Sequence, residues 1–384
     1  MFDGDETNVR LIYVAYGVLL FNLIFKCRVI KLCTETTFFV AYMMFGFISI
    51  LWAEDSREAF IRARGVFLIF ALLVFLTTYT INTKKPLAIL VAIAAGAVAL
   101  TGYMIFVYGL SGIWNSIRYG AERLGADINA VNSLGNALAV GLISVLGLTI
   151  FYKKRLLIIL IIPMLICLIA TGSRSASLSL VAGAFVLIVC LLKTKGRISV
   201  RISRVIPVVL GVIAVWLVMR NLSATKEIIL RLENSFNIIT GGESLIKESS
   251  TKNRIEYIKI GWQQFLESPI VGKGIGCAGF ALREIYGRYT YLHNNYIEIL
   301  ASGGIVGFVL YYTPYLLIFN SLIKRIFRFR DTNPLVFISF GLLIAKLVAH
   351  FGTVVYYSKI EFLLWAFWIS VLYTSAGDER RING

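Results

Sequence analysis

Long apolar runs divide the chain into segments of membrane-crossing length. The runs are each roughly 17 to 25 residues long, the length at which a helix crosses the hydrocarbon core of a bilayer. Short polar connections separate most of them. The predicted spans are residues 9–25, 36–52, 64–80, 87–108, 130–151, 156–171, 176–192, 205–219, 296–320, 334–352 and 360–376.

The runs predict helices and not strands. They are continuously apolar and do not alternate, and backbone groups in lipid must be satisfied within a helix or a closed barrel. We therefore predict an all-α fold, a polytopic membrane helical bundle of about 11 to 12 transmembrane helices, in a single membrane domain over residues 1–384. Residues 1–219 hold the first transmembrane helices, 220–295 form one large extracytoplasmic loop with short helices, and 296–384 hold the last transmembrane helices and a cytoplasmic tail.

Composition agrees with this pattern, and charge sets the orientation. Hydrophobic residues make up 58% of the 384 and charged residues 15%, and the mean hydropathy is +0.79, far from the balance of a soluble domain. The net charge of +17 comes mostly from basic residues in every second connection between the predicted spans. By the positive-inside rule that face is cytoplasmic, with the N-terminus outside and the C-terminus inside. The charge is an orientation signal, so no nucleic acid partner is predicted.

One connection, residues 220–295, is too long to be a turn. Within it, the stretch STKNRIEYIKIGWQQFLESP has apolar residues at helical spacing, which predicts an amphipathic helix that ends before Pro269. A turn follows with Gly274, Gly276 and Gly279 in GxGxxG spacing. No strand precedes this turn, so we interpret it as a tight connection for close backbone packing and not as a dinucleotide site.

Three side chains of catalytic type are predicted to share the outer face. Arg174 lies in the connection ATGSRSAS, Arg254 lies at the start of the amphipathic helix, and His293 directly precedes a long apolar run. Arginine binds phosphate with two parallel hydrogen bonds, and histidine can act as a general base or orient an acceptor hydroxyl. The residues alone leave structural alternatives open: Arg174 at the lipid headgroups, and His293 bonded to a carbonyl or headgroup.

Other polar residues bear on rival functions. We expect His350 to be interfacial, and Lys346 lies in the same span without an evident carboxylate partner. A secondary transporter or flippase of the polysaccharide pathway is the alternative from another functional class, and the missing carboxylate and missing internal repeat argue against it. A non-catalytic assembly protein is a further alternative. The five cysteines suggest neither a disulfide nor a metal site.

Several segments resemble one bacterial family. YLHNNYIEILASGGIVG is similar to the signature H-N-x-(Y/F)-(L/I) and following glycines of the O-antigen ligase and polymerase superfamily, which includes lipid A-core ligases and Wzy-type polymerases. Three further segments agree in order: SILWAEDSREA with its early tryptophan segment, ATGSRSASLSL with its Ser-Arg segment, and NRIEYIKIGWQQFLESPIVGKGIGCAGF with its R…W…P…G-x-G…F stretch. Each motif alone is weak evidence for the family, whereas their shared order along the chain makes the set specific.

The resemblance implies a metal-independent, inverting glycosyltransferase of the GT-C type. Such an enzyme takes a glycan from undecaprenyl pyrophosphate and transfers or polymerises it onto a hydroxyl of a glycan, lipid or protein acceptor, at the outer face of the bacterial cytoplasmic (inner) membrane. It implies no cofactor and no nucleotide sugar, and its expected partners are membrane lipids, a flippase and a chain-length regulator. The motifs do not distinguish a ligase from a polymerase. Relatives commonly have both chain ends inside, which departs from the orientation predicted above.

The resemblance also assigns residues. The two essential arginines and the signature histidine of the family match Arg174, Arg254 and His293. We further predict that sugar hydroxyls or phosphate are bound by Arg57, Arg123, Asn132 and Asn294. For the first three of these residues, solvated loop groups are the alternative.

Overall fold

The structure is a computed structural model that describes residues 32–119, 123–125, 131–193, 249–287 and 289–382. Within these ranges it contains helices and no strand, which confirms the predicted all-α class. The α-helices of the described ranges are α1 Thr34–Ile48, α2 Ser56–Thr83, α3 Pro86–Tyr119, α4 Val131–Phe151, α5 Ile158–Ala170, α6 Arg174–Lys193, α7 Ser249–Glu267, α8 Phe280–Tyr286, α9 Asn295–Ile323, α10 Pro334–Ala349 and α11 Lys359–Ile382.

Polar residues beside the apolar runs set the helix boundaries. The Asp55 carboxylate caps α2 by accepting a hydrogen bond from the Glu58 N–H at 2.9 Å, and Asn333 caps α10 in the same manner. Such caps satisfy N–H groups that have no partner within the helix. The amphipathic helix α7 ends before Pro269, as predicted.

Six described helices are long and apolar enough to cross a membrane: α1 with the 3-10 turn after it, α2, α3, α4, α6 and α9. Two shorter apolar helices are α5 and α10. The predicted spans 9–25 and 205–219 lie outside the described residues, and the other nine fall on described helices. The membrane-helical character is therefore confirmed, while the total number of spans stays a prediction.

The helix α4 forms the centre of the bundle. Its side chains are buried along almost its whole length, and α3, α5, α6 and α10 pack around it. Small residues allow the close approach: a Cβ at Gly147 would lie 2.6 Å from the Ile338 side chain, as is typical of packed membrane helices. On another side of the bundle, α11 buries the rings of Trp365 and Trp368.

The helix α9 is broken at Gly304, and the loop after α7 fills the break. Gly304 has φ 59° and ψ −160°, a backbone region that is almost restricted to glycine. The Ile305 and Val306 N–H groups leave the helical ladder and donate to the carbonyls of Pro269 and Ile270, at 2.8 and 3.1 Å. A segment between two helices thus pairs with the interior of α9.

The carbonyls on the other side of the break bond to the same loop. Ala301 and Ser302 accept hydrogen bonds from the Lys273 and Gly274 N–H groups, at 2.9 and 3.0 Å. In a continuous helix these two carbonyls would bond to the two N–H groups beyond the break. Hydrogen bonds to the loop therefore replace bonds within the helix. The glycine-rich turn is a connection for close backbone packing, as the sequence predicted.

One expectation about buried charge is wrong. Lys346 has a carboxylate partner, since its Nζ lies 2.6 Å from Glu361 of α11. His350, at the end of α10, is fully buried within the protein, and its Nε2 lies 3.4 Å from the same carboxylate. The Tyr315 hydroxyl also donates to Glu361. The packing of α10 on α11 brings these groups together, and a charge at such a depth is costly without a partner.

Replacing Gly304 by alanine is expected to destabilise the protein by about 2 kcal/mol or more, because the new Cβ adds backbone strain and overpacking. That Cβ would lie against the Ile270 backbone. The measurement is the thermal unfolding midpoint in detergent. Gly96→Ala is the matched control, since nothing lies within 4 Å of a Cβ at that helical site. An unchanged midpoint for Gly304→Ala would contradict the packing of the loop into the break.

Candidate active site

Polar connections between the helices meet at one end of the bundle. The Glu54 N–H donates to the Lys273 carbonyl at 3.1 Å, which joins the start of α2 to the loop after α7. The Asn295 N–H donates to the His350 carbonyl at 2.8 Å, which joins the start of α9 to the end of α10. His293 lies two residues before Asn295, so the histidine of the candidate site lies at this end of the bundle.

His293 occupies an uncommon backbone position directly before α9. Its φ is +57°, a left-handed conformation that residues other than glycine adopt infrequently. The next residue, Asn294, caps α9, because its side-chain oxygen accepts hydrogen bonds from the Tyr296 and Ile297 N–H groups at 3.0 and 3.1 Å. The His293 ring lies 4.3 Å from the Tyr291 ring, centre to centre. Asn294 therefore helps to position the histidine, and its oxygen is already engaged.

Two tyrosines relate His293 to the arginines. The Tyr257 ring stacks on His293, with 6.1 Å between ring centres and 18° between planes. Tyr257 lies one turn after Arg254 on α7, so the two side chains share a face of the helix. Burial raises the pKa of Tyr291, while the positive charges of Arg254 and Arg123 lower it. Both arginines thus act on a tyrosine that touches the histidine.

Arg123 connects this group to the segment that leads to Arg174. Its Nε donates to the Thr171 carbonyl at 3.0 Å, and its Nη2 donates to Asn132 Oδ1 at 3.2 Å. The Ser173 hydroxyl donates to the same oxygen at 3.3 Å, and α6 begins with Arg174. Arg123 and Asn132 are therefore held by protein groups and are not solvated loop residues.

On α2, the arginine that points into the protein is Arg62 and not Arg57, which the sequence suggested. Arg57 is exposed in the first turn, whereas Arg62 lies about 140° further around the helix. The Arg62 guanidinium lies 4.7 Å from the centre of the Tyr357 ring, and its Nε donates to Glu58 at 2.6 Å. The i, i+4 spacing of Glu58 and Arg62 is the sequence signal that could have identified it. Substrate binding by Arg57 stays a prediction.

Glu298 is a buried carboxylate that sequence reasoning missed. It is 3% exposed, and its Oε2 accepts a hydrogen bond from the Leu292 N–H at 2.9 Å, which fixes the residue before His293. Burial raises the pKa of Tyr289, and the charge of Glu298 raises it further, so this phenol stays protonated at neutral pH. A single carboxylate near the start of an apolar run is the available signal, because such a charge needs a partner.

The arrangement has the groups needed to hold an anion and to move a proton. Arg254 and Arg123 lie within electrostatic reach of Tyr291, and Arg174 is the first residue of α6. All three arginines keep their charge at any working pH. One imidazole lies among aromatic rings at the start of α9. Over the described ranges, no cluster of three or more His, Cys, Asp or Glu side chains is placed to hold a metal ion.

Comparison with known proteins identifies one family. Residues 159–312 match the family model described as O-Antigen ligase, and this stretch includes Arg174, Arg254 and His293. No curated protein matches the chain. The family resemblance predicted from the motifs is confirmed by this match over residues 159–312.

Proposed function

We propose that the protein is a membrane glycosyltransferase that transfers or polymerises an undecaprenyl-pyrophosphate-linked oligosaccharide onto an acceptor hydroxyl. The reaction takes place at the outer face of the bacterial cytoplasmic membrane and builds a cell-surface polysaccharide. The family region and the membrane helices support the glycosyltransferase role. The observation that carries the proposal is the setting of His293, whose ring lies against Tyr291 and against Tyr257, one helical turn after Arg254 on α7.

The arginines act on the leaving group. When the bond between the anomeric carbon and the pyrophosphate oxygen breaks, its electron pair stays with undecaprenyl pyrophosphate and negative charge grows there. Arg174 and Arg254 bind that charge through parallel N–H···O hydrogen bonds. Both arginines are carried by helices, α6 and α7, and cations that are oriented before the reaction stabilise the transition state more than the ground state.

His293 acts on the acceptor. Its neutral imidazole accepts the proton of the acceptor hydroxyl as that oxygen bonds to the anomeric carbon, and the proton passes to solvent when the products leave. Attack from the face opposite the pyrophosphate inverts the anomeric centre. The cap at Asn294 and the hydrogen bond from Leu292 to Glu298 hold the segment on both sides of the histidine, which limits its motion during the reaction.

Ligase and polymerase are variants of this reaction that differ in the acceptor. A polymerase adds the glycan to another lipid-linked repeat unit, and a ligase adds it to a lipid A core, another lipid or a protein. We favour a polymerase or a general polysaccharide ligase, since no residue marks a lipid A site. We expect a flippase and a chain-length regulator as protein partners, and no nucleotide sugar as a substrate.

The buried pair of Lys346 and Glu361 favours a second candidate, a proton-coupled transporter or flippase of the same pathway. Ionisable groups inside transmembrane helices often mark ion pathways. Transporter sites, however, are usually formed by broken helices. The break in α9 at Gly304 is filled by the loop after α7, and α10, which carries Lys346, has helical backbone angles throughout. A structural ion pair accounts for this geometry, and glycan transfer remains the main proposal.

His293→Asn is expected to lower the transfer rate by about 10²-fold or more, because loss of a general base has that cost. Asparagine is chosen since it tolerates a positive φ. Arg174→Ala and Arg254→Ala are each expected to lower the rate by about 10²–10³-fold, as for loss of one oxyanion donor. The assay supplies membranes with the lipid-linked repeat unit of the source organism and measures released undecaprenyl pyrophosphate and the glycan ladder.

Arg283→Ala is the matched control for these variants. Arg283 is an exposed arginine on α8 inside the family region, and its variant should keep the wild-type rate. A wild-type rate for His293→Asn at equal expression would remove the histidine from the mechanism. Product that forms only after a different acceptor is added identifies a ligase, whereas a ladder from the repeat unit alone identifies a polymerase.

Transfer is expected to continue after metal removal, because arginines supply the positive charge that the leaving group needs. The same assay is run on membranes washed with EDTA, with and without added Mg²⁺ or Mn²⁺. Equal rates in all samples agree with a metal-independent reaction. A rate that falls on chelation and returns with one of the metals contradicts it.

Lys346→Met is expected to destabilise the protein by about 3 kcal/mol or more, since Glu361 would remain buried without its main partner. The double variant Lys346→Met/Glu361→Gln should regain most of that stability and keep glycan transfer. Thermal midpoints of both single variants and the double variant give the coupling energy. A stable double variant that has lost pH-driven substrate movement in proteoliposomes would instead favour the transporter.

A further inference from the structure

A cleft of about 390 Å³ lies between α7 and α8, a size typical of small-ligand sites. None of the arginines of the candidate active site lines it. Its polar and aromatic lining residues are Glu54, Gln263, Gln264, Glu267, Phe280 and Glu284. The cleft is therefore distinct in both position and chemistry from the arginine cluster.

The amide of Gln264 is buried in the wall of this cleft. Its residue is 4% exposed, and among the described residues neither Oε1 nor Nε2 has a hydrogen-bond partner. A buried amide without partners is unfavourable and calls for an explanation. The group offers two donors and one acceptor, which is the complement of neighbouring hydroxyl groups on a sugar ring. Gln263, Phe280 and Glu284 add a second amide, an apolar ring and a carboxylate to the same cleft.

The charge of the cleft is opposite to that of the arginine cluster. Three carboxylates line it, from Glu54, Glu267 and Glu284. Lys273 contacts the first two, at 3.0 and 2.9 Å, so it offsets only part of their charge. Electrostatic complementarity therefore disfavours a pyrophosphate or an acidic sugar in the cleft and favours a neutral or amino sugar.

We propose that this cleft is a subsite for the acceptor glycan and binds one of its neutral or amino sugars. The inference rests on the proposed function, because it names the acceptor side of the same reaction. Gln264 lies about two helical turns, or about 10 Å, along α7 from Tyr257, and the Tyr257 ring stacks on His293. A short oligosaccharide held in the cleft can thus extend its terminal hydroxyl to the histidine.

Gln264→Leu tests the proposal, since leucine keeps much of the side-chain volume and removes the amide. The acceptor is an oligosaccharide released by mild acid from the surface polysaccharide of the source organism. Its KM should rise about three- to tenfold, as expected for one or two lost hydrogen bonds. Three other quantities should stay near their wild-type values: the kcat at saturating acceptor, the KM of the lipid-linked donor and the thermal unfolding midpoint.

Ser339→Ala is the matched control. The Ser339 hydroxyl is also buried and, in the described part of the chain, also lacks a partner, but it lies in α10 away from the cleft. Its variant should keep the wild-type KM of the acceptor. Binding of the same oligosaccharide to purified wild type and Gln264→Leu is measured in parallel by saturation-transfer NMR.

The outcomes separate this proposal from the proposed function. If the wild type transfers glycan and Gln264→Leu has the same acceptor KM and the same binding, the cleft is not a subsite, while the function stands. If the wild type binds the oligosaccharide, the leucine variant binds it more weakly and neither protein transfers glycan, the subsite stands and the function is overturned. Absence of both binding and transfer in the wild type overturns both.

Discussion

Backbone hydrogen bonding at the break in α9 is the constraint on which the rest of the structure depends. The helix α9 gives up bonds of its own ladder at Gly304, and the loop after α7 bonds to each group that this leaves, because unpaired polar groups are costly in hydrocarbon. The exchange anchors one end of α7. Along its length, α7 packs so closely on the start of α9 that a Cβ at Gly261 would collide with Leu292. The position of Arg254 relative to His293 follows from these contacts.

Charge is distributed so that different parts of one reaction meet different environments. Arg123 and Arg254 lie near Tyr291, which contacts the His293 imidazole where we propose that pyrophosphate leaves, and carboxylates line the cleft between α7 and α8. The helix α7 borders both regions, with Arg254 near its beginning and Gln264 near its end. A single helix therefore borders a cationic region that attracts an anionic donor and an acidic cleft that repels it, before any hydrogen bond to a sugar forms.

The sequence predicted the features that depend on local pattern. Apolar runs located the helices, Pro269 marked the end of α7, and the glycines after it indicated close packing. Features that depend on packing between distant segments were not predictable in this way. Lys346 and Glu361 belong to different helices, so their pairing appears only when the helices are placed side by side. The i, i+4 spacing of Glu58 and Arg62 is visible in the sequence, but the Tyr357 ring against which Arg62 lies belongs to a distant segment.

The break in α9 has a consequence for the order of assembly. Until the loop after α7 is in place, the backbone groups around Gly304 lack partners, and a helix in that state is unfavourable in lipid. The ribosome makes the loop before it makes α9, so the template is present when the helix arrives. The bent form of α9 is thus acquired by docking and not by insertion alone. A membrane helix takes its final shape here from a neighbouring segment that is not itself a membrane helix.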